Sequence, residues 1–131
     1  MSLPPPASLL RHRPPALLLG GVQTHASHRL VCRGIDGRDW SWARLLEGAA
    51  QAAGLLAGLQ PGGPGPHAVI AEYRDVGVHV GLHRGPVRFD ARLERRLAHF
   101  WRCRCEARTP SGRVLLAARV TLASPARERT A

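Results

Sequence analysis

The apolar positions of this chain change period once, and the change divides it into a helical and an extended part. From Trp40 to Leu59 they recur at helical spacing, with Leu45, Ala49, Ala52, Leu56 and Leu59 on one side. Ala and Leu dominate the stretch, Ser41 or Asp39 can accept the orphan N–H groups at its start, and Pro61-Gly62-Gly63 stops it. The spacing predicts one helix. Beyond the loop 61–66 the period becomes two. Ala68-Val69-Ile70-Ala71 leads into a strand over 76–83 that sets Val76, Val78, Val80 and Leu82 on one face, and Val87, Phe89, Ala91 and Leu93 alternate likewise. Residues 97–108 and 113–123 flank the turn Thr109-Pro110-Ser111-Gly112 and predict a hairpin. Before the helix, 29–32 predicts a short strand, and 17–22 either a strand or a helical turn after Pro14-Pro15. One long helix followed by antiparallel strands describes an α+β domain. A sheet curled around an Ala-rich helix suits it, since small side chains let strands approach closely.

The limits follow from composition. A chain of 131 residues is expected to form one domain, over 9–124, with a disordered Pro-rich lead-in at 1–8 and a disordered tail at 125–131. Its 19 basic residues, all arginine, outnumber nine acidic ones and leave a net charge of +10. That charge favours an acidic partner: nucleic acid, an anionic membrane or an acidic carrier protein. The arginines are scattered and only 5% of residues are aromatic, which argues against nucleic acid. Three cysteines without framework spacing fit a reduced, cytoplasmic setting, and neither a signal segment nor a membrane span is expected.

Candidate chemistry lies on the helix. At about 100° per residue, Glu47, Gln51, Gly54 and Gly58 fall on one stripe. An acid, an amide and two residues without bulk could admit an extended ligand close to the backbone. The other reading is the wet side of an amphipathic helix, with Arg44 and Glu47 an ordinary surface pair. Against it, a solvent face has no need of interior glycines, which cost about 1 kcal/mol each relative to alanine. His99, Cys103 and Cys105 supply too few ligands at metal spacing, and on a strand the two cysteines read as small buried hydrophobes. His79 and His83, about 13 Å apart along a strand, cannot share an ion and suit the polar or interface side of the sheet.

Three segments also carry a resemblance. Leu45–Leu56, with Glu47-x-x-x-Gln51 at its core, Leu10–Leu19, with His12-x-x-Pro15 before apolar residues, and Ser111–Ala118 in the final hairpin are similar to the hotdog-fold 3-hydroxyacyl-[acyl-carrier-protein] dehydratases, in particular the small aryl-polyene-pathway type. The resemblance implies a curved antiparallel sheet wrapped around one central helix. It also implies two subunits, like or unlike, joined side by side into a continuous sheet, with acyl tunnels between them and an acidic acyl carrier protein as partner. It implies Glu47 as the acid that protonates the departing hydroxyl and Gln51 as its orienting amide, with Gly54 and Gly58 beside the acyl chain and no metal or cofactor. The family's catalytic histidine stands fourteen positions before the glutamate, where this chain has Arg33, which cannot act as a base. His12 is then the substitute, His25 and His28 having no motif behind them, and Gly20 stands where an acidic residue is common. A degenerate subunit that supports a partner dehydratase, an acyl thioesterase and a basic nucleic-acid-binding module are the alternatives.

Overall fold

The computed structural model describes residues 17–64 and 68–124. The expected lead-in and tail, the His12-x-x-Pro15 motif and part of the 61–66 loop lie outside them.

Among the described residues eight strands and one helix follow in the order β1 (Leu19–Ala26), β2 (Arg29–Gly34), β3 (Asp39–Ser41), α1 (Trp42–Gly58), β4 (Val69–Val78), β5 (Leu82–Arg84), β6 (Arg88–Leu97), β7 (Phe100–Arg108) and β8 (Val114–Ala123). Six of the strands form one antiparallel sheet in the order β1-β2-β6-β7-β8-β4, and β3 pairs with β5 in a small second one. The segment at 17–22 thus enters a strand rather than a helical turn. The final hairpin forms as its alternation predicts, and β4 crosses over to the far edge beside β8.

The helix starts two residues later than its periodicity suggests, because Trp40 is taken into β3. There it is buried edge-on against Phe89, with ring centroids 5.5 Å apart. Ser41 is the N-cap, its Oγ accepting from the Arg44 N–H at 3.2 Å. The Arg44 guanidinium turns back to the Asp39 carbonyl at 3.0 Å. From Gly48 to Ala57 every residue of α1 is buried. Gly48 shows why the helix can come so close: a Cβ there would run into the Phe89 ring of β6.

The predicted strand over 76–83 is broken. Asp75 takes a left-handed backbone (φ 51°), the β4–β8 register slips between Arg74 and Gly77, and β4 ends at Val78. His79–Gly81 is a loop, so Leu82 and His83 join a different sheet from Val76 and Val78.

The six-stranded sheet has two unlike faces. Toward α1 it presents Leu30, Cys32, Phe89, Ala91, Trp101, Cys103, Cys105, Leu116 and Val120, all buried. Its outer face is crossed by a row of directly opposed arginines, Arg29, Arg92, Arg104, Arg119 and Arg74, one on each of five neighbouring strands. Like charges opposite one another are unfavourable, and interleaved acids offset them. Asp90 takes a two-point hydrogen bond from Arg29 at 3.2 and 2.7 Å, while Arg119 bridges Asp75 at 2.6 Å and Glu94 at 2.9 Å.

Candidate functional site

Gln51 is 2% exposed and could not be left there without partners. Its Oε1 accepts the backbone N–H of Leu18 at 2.8 Å, which fixes the amide so that Nε2 faces back along the helix. One turn earlier stands Glu47, half-buried, and Nε2 donates to its Oε1 at 3.3 Å. The acid is thereby tied, through Gln51, to the segment that enters β1. This excludes the wet-face reading at Gln51. Gly54 is buried on the same stripe and Gly58 is half-buried in the last turn.

β4 also comes near the acid, its Tyr73 close enough to feel the Glu47 charge. Its register carries Leu93, Cys103, Val120 and Tyr73 across the sheet as one row on the helix-facing side. Burial first, then the Glu47 carboxylate and Cys105, hold the Tyr73 phenol above its usual range. Sequence reading passed over Tyr73, although it is the chain's only tyrosine and stands in an otherwise aliphatic and charged strand. Its neighbours are apolar and open: Val69, Ile70, Tyr73, Val76 and Val78 remain 38 to 45% exposed. Trp42 and Leu82 are exposed as well, at the end of the helix that carries the acid.

The histidines separate into two groups. His25, His28 and His99 lie in or next to the turns at the C-terminal end of α1, where Gln60 bonds the Ser27 carbonyl at 2.7 Å. That is about 20 Å along the helix from Glu47. His79 and His83 lie at the acid's end. His79 donates its N–H to Leu115, and His83 pairs with Trp40, its half-buried ring keeping a buried Nε2 with no hydrogen-bond partner among the described residues. Arg33, at the position where the resemblance implies a histidine, is turned away from the acid by the geometry. Strand alternation turns it to the outer face, opposite Arg88 and beside Gly20, while Cys32 and Gly34 face the helix side.

Cys103 and Cys105 are buried on one face as alternation predicts, and all three cysteines are free. Burial pushes the Cys32 and Cys103 thiols up to about 12. Among the described residues no group of three or more His, Cys, Asp or Glu side chains could hold a metal ion, and no helix is long and apolar enough to cross a membrane.

Several of the arginines between Arg84 and Arg96 are engaged. Arg84 lies 3.8 Å from Asp39, Arg92 lies 3.7 Å from Asp90, and Arg96 bonds the Pro61 carbonyl at 2.9 Å while its guanidinium stacks over Trp101. On the outer face Arg74, Asp75, Glu94, Arg95, Arg102 and Arg119 line a polar groove of about 410 Å³. It lies across the sheet from Glu47.

Neither a protein-family model nor a curated protein sequence matches this chain. Solved structures do. The dehydratase heterocomplex ApeI:P from Xenorhabdus doucetiae aligns with a TM-score of 0.79 at 17% identity, over 95% of this chain and 93% of the other. A single-residue variant of an HP0420 homologue from Helicobacter felis aligns at 0.70 and 11% identity, over 96% and 90%. The thioesterase HI1161 from Haemophilus influenzae aligns at 0.63 and 12% identity, over 79% and 76%. At these identities the likeness is one of architecture. This chain has the hotdog fold, one helix enclosed by a long antiparallel sheet.

Proposed function

We propose that this hotdog-fold chain is a 3-hydroxyacyl-[acyl-carrier-protein] dehydratase, or one subunit of such an enzyme, acting on carrier-bound acyl thioesters in fatty acid or polyene synthesis. The Gln51 amide, held between the Leu18 N–H and the Glu47 carboxyl, carries this reading. It presents an oriented acid beside an apolar strand that nothing among the described residues covers. The likeness to a dehydratase heterocomplex over nearly the whole of both chains supports it.

In the reaction a base takes a proton from C2, and the electron pair left behind forms the C2–C3 double bond. The C3–O bond breaks, and the hydroxyl leaves as water with a proton from the Glu47 carboxyl. Gln51 keeps that carboxyl aimed. Gly54 and Gly58 leave room along the helix for the acyl chain. His12 is the base in this account, and the backbone group that Gln51 receives belongs to Leu18, six residues after it. The net charge of +10 and the outer arginines suit an acidic carrier. The reaction needs no metal or cofactor, and it is placed in the cytoplasm with a second hotdog chain, like or unlike, closing the site.

Two further readings rest on particular observations. Arg33 faces away from Glu47, which favours a subunit that completes a partner's site rather than its own. Thioesterases share the fold, and there the same acid would activate water.

Incubating the purified protein, alone and with any co-encoded hotdog homologue, with 3-hydroxyacyl carrier protein and following the acyl mass separates the readings. Loss of about 18 mass units, abolished by His12→Ala, is the expected result. Release of a free acid would establish the thioesterase instead. Enoyl formation only with the homologue, and indifferent to Glu47→Gln in this chain, would assign it the supporting role.

A further inference from the structure

The outer face of the sheet is layered toward the β6–β7 turn. At its rim Leu97 and Phe100 are directly opposed across the two-residue turn Ala98-His99 and remain 50 and 46% exposed, and Ala123 and Val69 continue the row on β8 and β4. Arg95 and Arg102 oppose one another in the next row, and Arg92, Arg104, Arg119 and Arg74 in the row after that. Residues two apart on one face of a strand are separated by about 7 Å. Along β7, Phe100, Arg102 and Arg104 therefore climb in steps of that size from an apolar rim to two cationic tiers. Between Glu94 and Glu106 the chain has four arginines and no acid. Arg95 and Arg104 make no hydrogen bond or ion pair among the described residues, and Arg96 meets the Pro61 carbonyl and the Trp101 ring rather than a carboxylate. Exposed large apolar side chains beside unpaired cations mark a contact surface. An anionic bilayer suits both at once: its acyl boundary takes apolar side chains to a depth of roughly 5–10 Å, and its negative headgroups stand just above. A nucleic-acid duplex would meet the arginines but has no apolar layer for Leu97 and Phe100. A carrier protein must deliver its thioester to Glu47, about 20 Å away along the helix.

We propose that this end of the molecule is a peripheral docking surface for an anionic phospholipid bilayer, with Leu97 and Phe100 entering the acyl boundary and Arg95 and Arg104 binding lipid phosphates. Attachment of this kind needs no membrane-spanning helix. It is independent of the dehydratase reading, since Glu47 stands near the opposite end of α1.

Co-sedimentation of the full-length protein with vesicles tests it, comparing phosphatidylcholine alone with phosphatidylcholine containing roughly one-third phosphatidylglycerol. The protein is expected to bind the anionic vesicles and not the neutral ones. Arg95→Glu with Arg104→Glu, and separately Leu97→Ser with Phe100→Ser, should each weaken partition at least about tenfold. All four positions are exposed, so the fold should persist in both variants. A second readout does not depend on them. A polarity-sensitive dye on Phe100→Cys should shift to the blue on anionic vesicles, while the same dye on Ser111→Cys, in the turn at the other end of β7, should not; the three native thiols are buried and stay unlabelled. Four results would overturn the proposal: no binding to anionic vesicles, binding indifferent to Leu97→Ser with Phe100→Ser, an equal dye shift at both positions, or a shift at Phe100→Cys produced without vesicles. In the last case, a shift that grows with protein concentration would assign the rim to a second copy, and one produced by an acidic carrier protein would assign it to that partner.

Discussion

Leu116 and Val78 are directly opposed neighbours on the helix-facing side of adjacent strands, yet Leu116 is fully buried and Val78 is among the exposed residues of β4. The pair epitomises two regions built from the same kind of sequence. In the β7–β8 hairpin the helix-facing side chains from Trp101 to Ala107 and from Leu116 to Leu122 are all buried. Along β4 the same alternation continues one strand past the helix, and its apolar row is left open. Apolar side chains on a strand therefore do not by themselves make a core; the position of the strand relative to α1 decides it. The open row lies beside Glu47, where an acyl chain and a second subunit would both need apolar surface.

The largest effect is expected where the hairpin is fully covered. Leu116→Ala should cost about 2–5 kcal/mol in chemical denaturation. Gln51→Leu tests the link between the regions. It removes the acceptor of the buried Leu18 N–H and should cost about 1–3 kcal/mol, while also removing the hydrogen bond from Nε2 to the Glu47 carboxyl. A cost below about half a kilocalorie would mean that the amide holds nothing in place.

Alkali should act next, through the thiols of the covered face. Cys32 and Cys103 keep their protons in the fold to about 12, against an ordinary 9.0, because burial disfavours the thiolate. The unfolded chain loses those protons first, so their stabilisation is whole below pH 9 and shrinks as the pH climbs toward 12. The loss should approach about 1.4 kcal/mol per pH unit for each thiol. Cys32→Ala should flatten the alkaline limb of the stability profile. The smallest effect belongs to the open row: Val78→Ala in a dilute, unpaired chain should shift stability by no more than about 0.5 kcal/mol. A cost matching that of Leu116→Ala would show that β4 is covered within one chain and dissolve the contrast.

Legibility followed the same division. The helix and the final hairpin could be read because their periodicity is long and agrees with their caps and turn, as at Ser41 and Gly112. The end of β4 at Val78 could not, since Val76, Val78, Val80 and Leu82 alternate straight across it, and the left-handed backbone before it falls on Asp75 rather than on a glycine. Trp40 was drawn toward the helix by its neighbours in sequence, whereas its burial against Phe89 is decided by a strand 49 residues away. The Glu47–Gln51 pairing was visible as a stripe. Its meaning was not, because the Leu18 N–H that orients the amide is a tertiary contact and Tyr73, which feels the Glu47 charge, stands on a strand that follows a crossover connection.

The central claim is that Glu47 is a proton donor held in aim at an acyl chain. Single-turnover conversion of 3-hydroxyacyl carrier protein to the enoyl form by the assembled protein, compared with its Glu47→Gln variant, measures it most directly. The account predicts a rate at least about 100-fold lower in the variant, with the substrate still bound. An unchanged rate in a folded variant would contradict it.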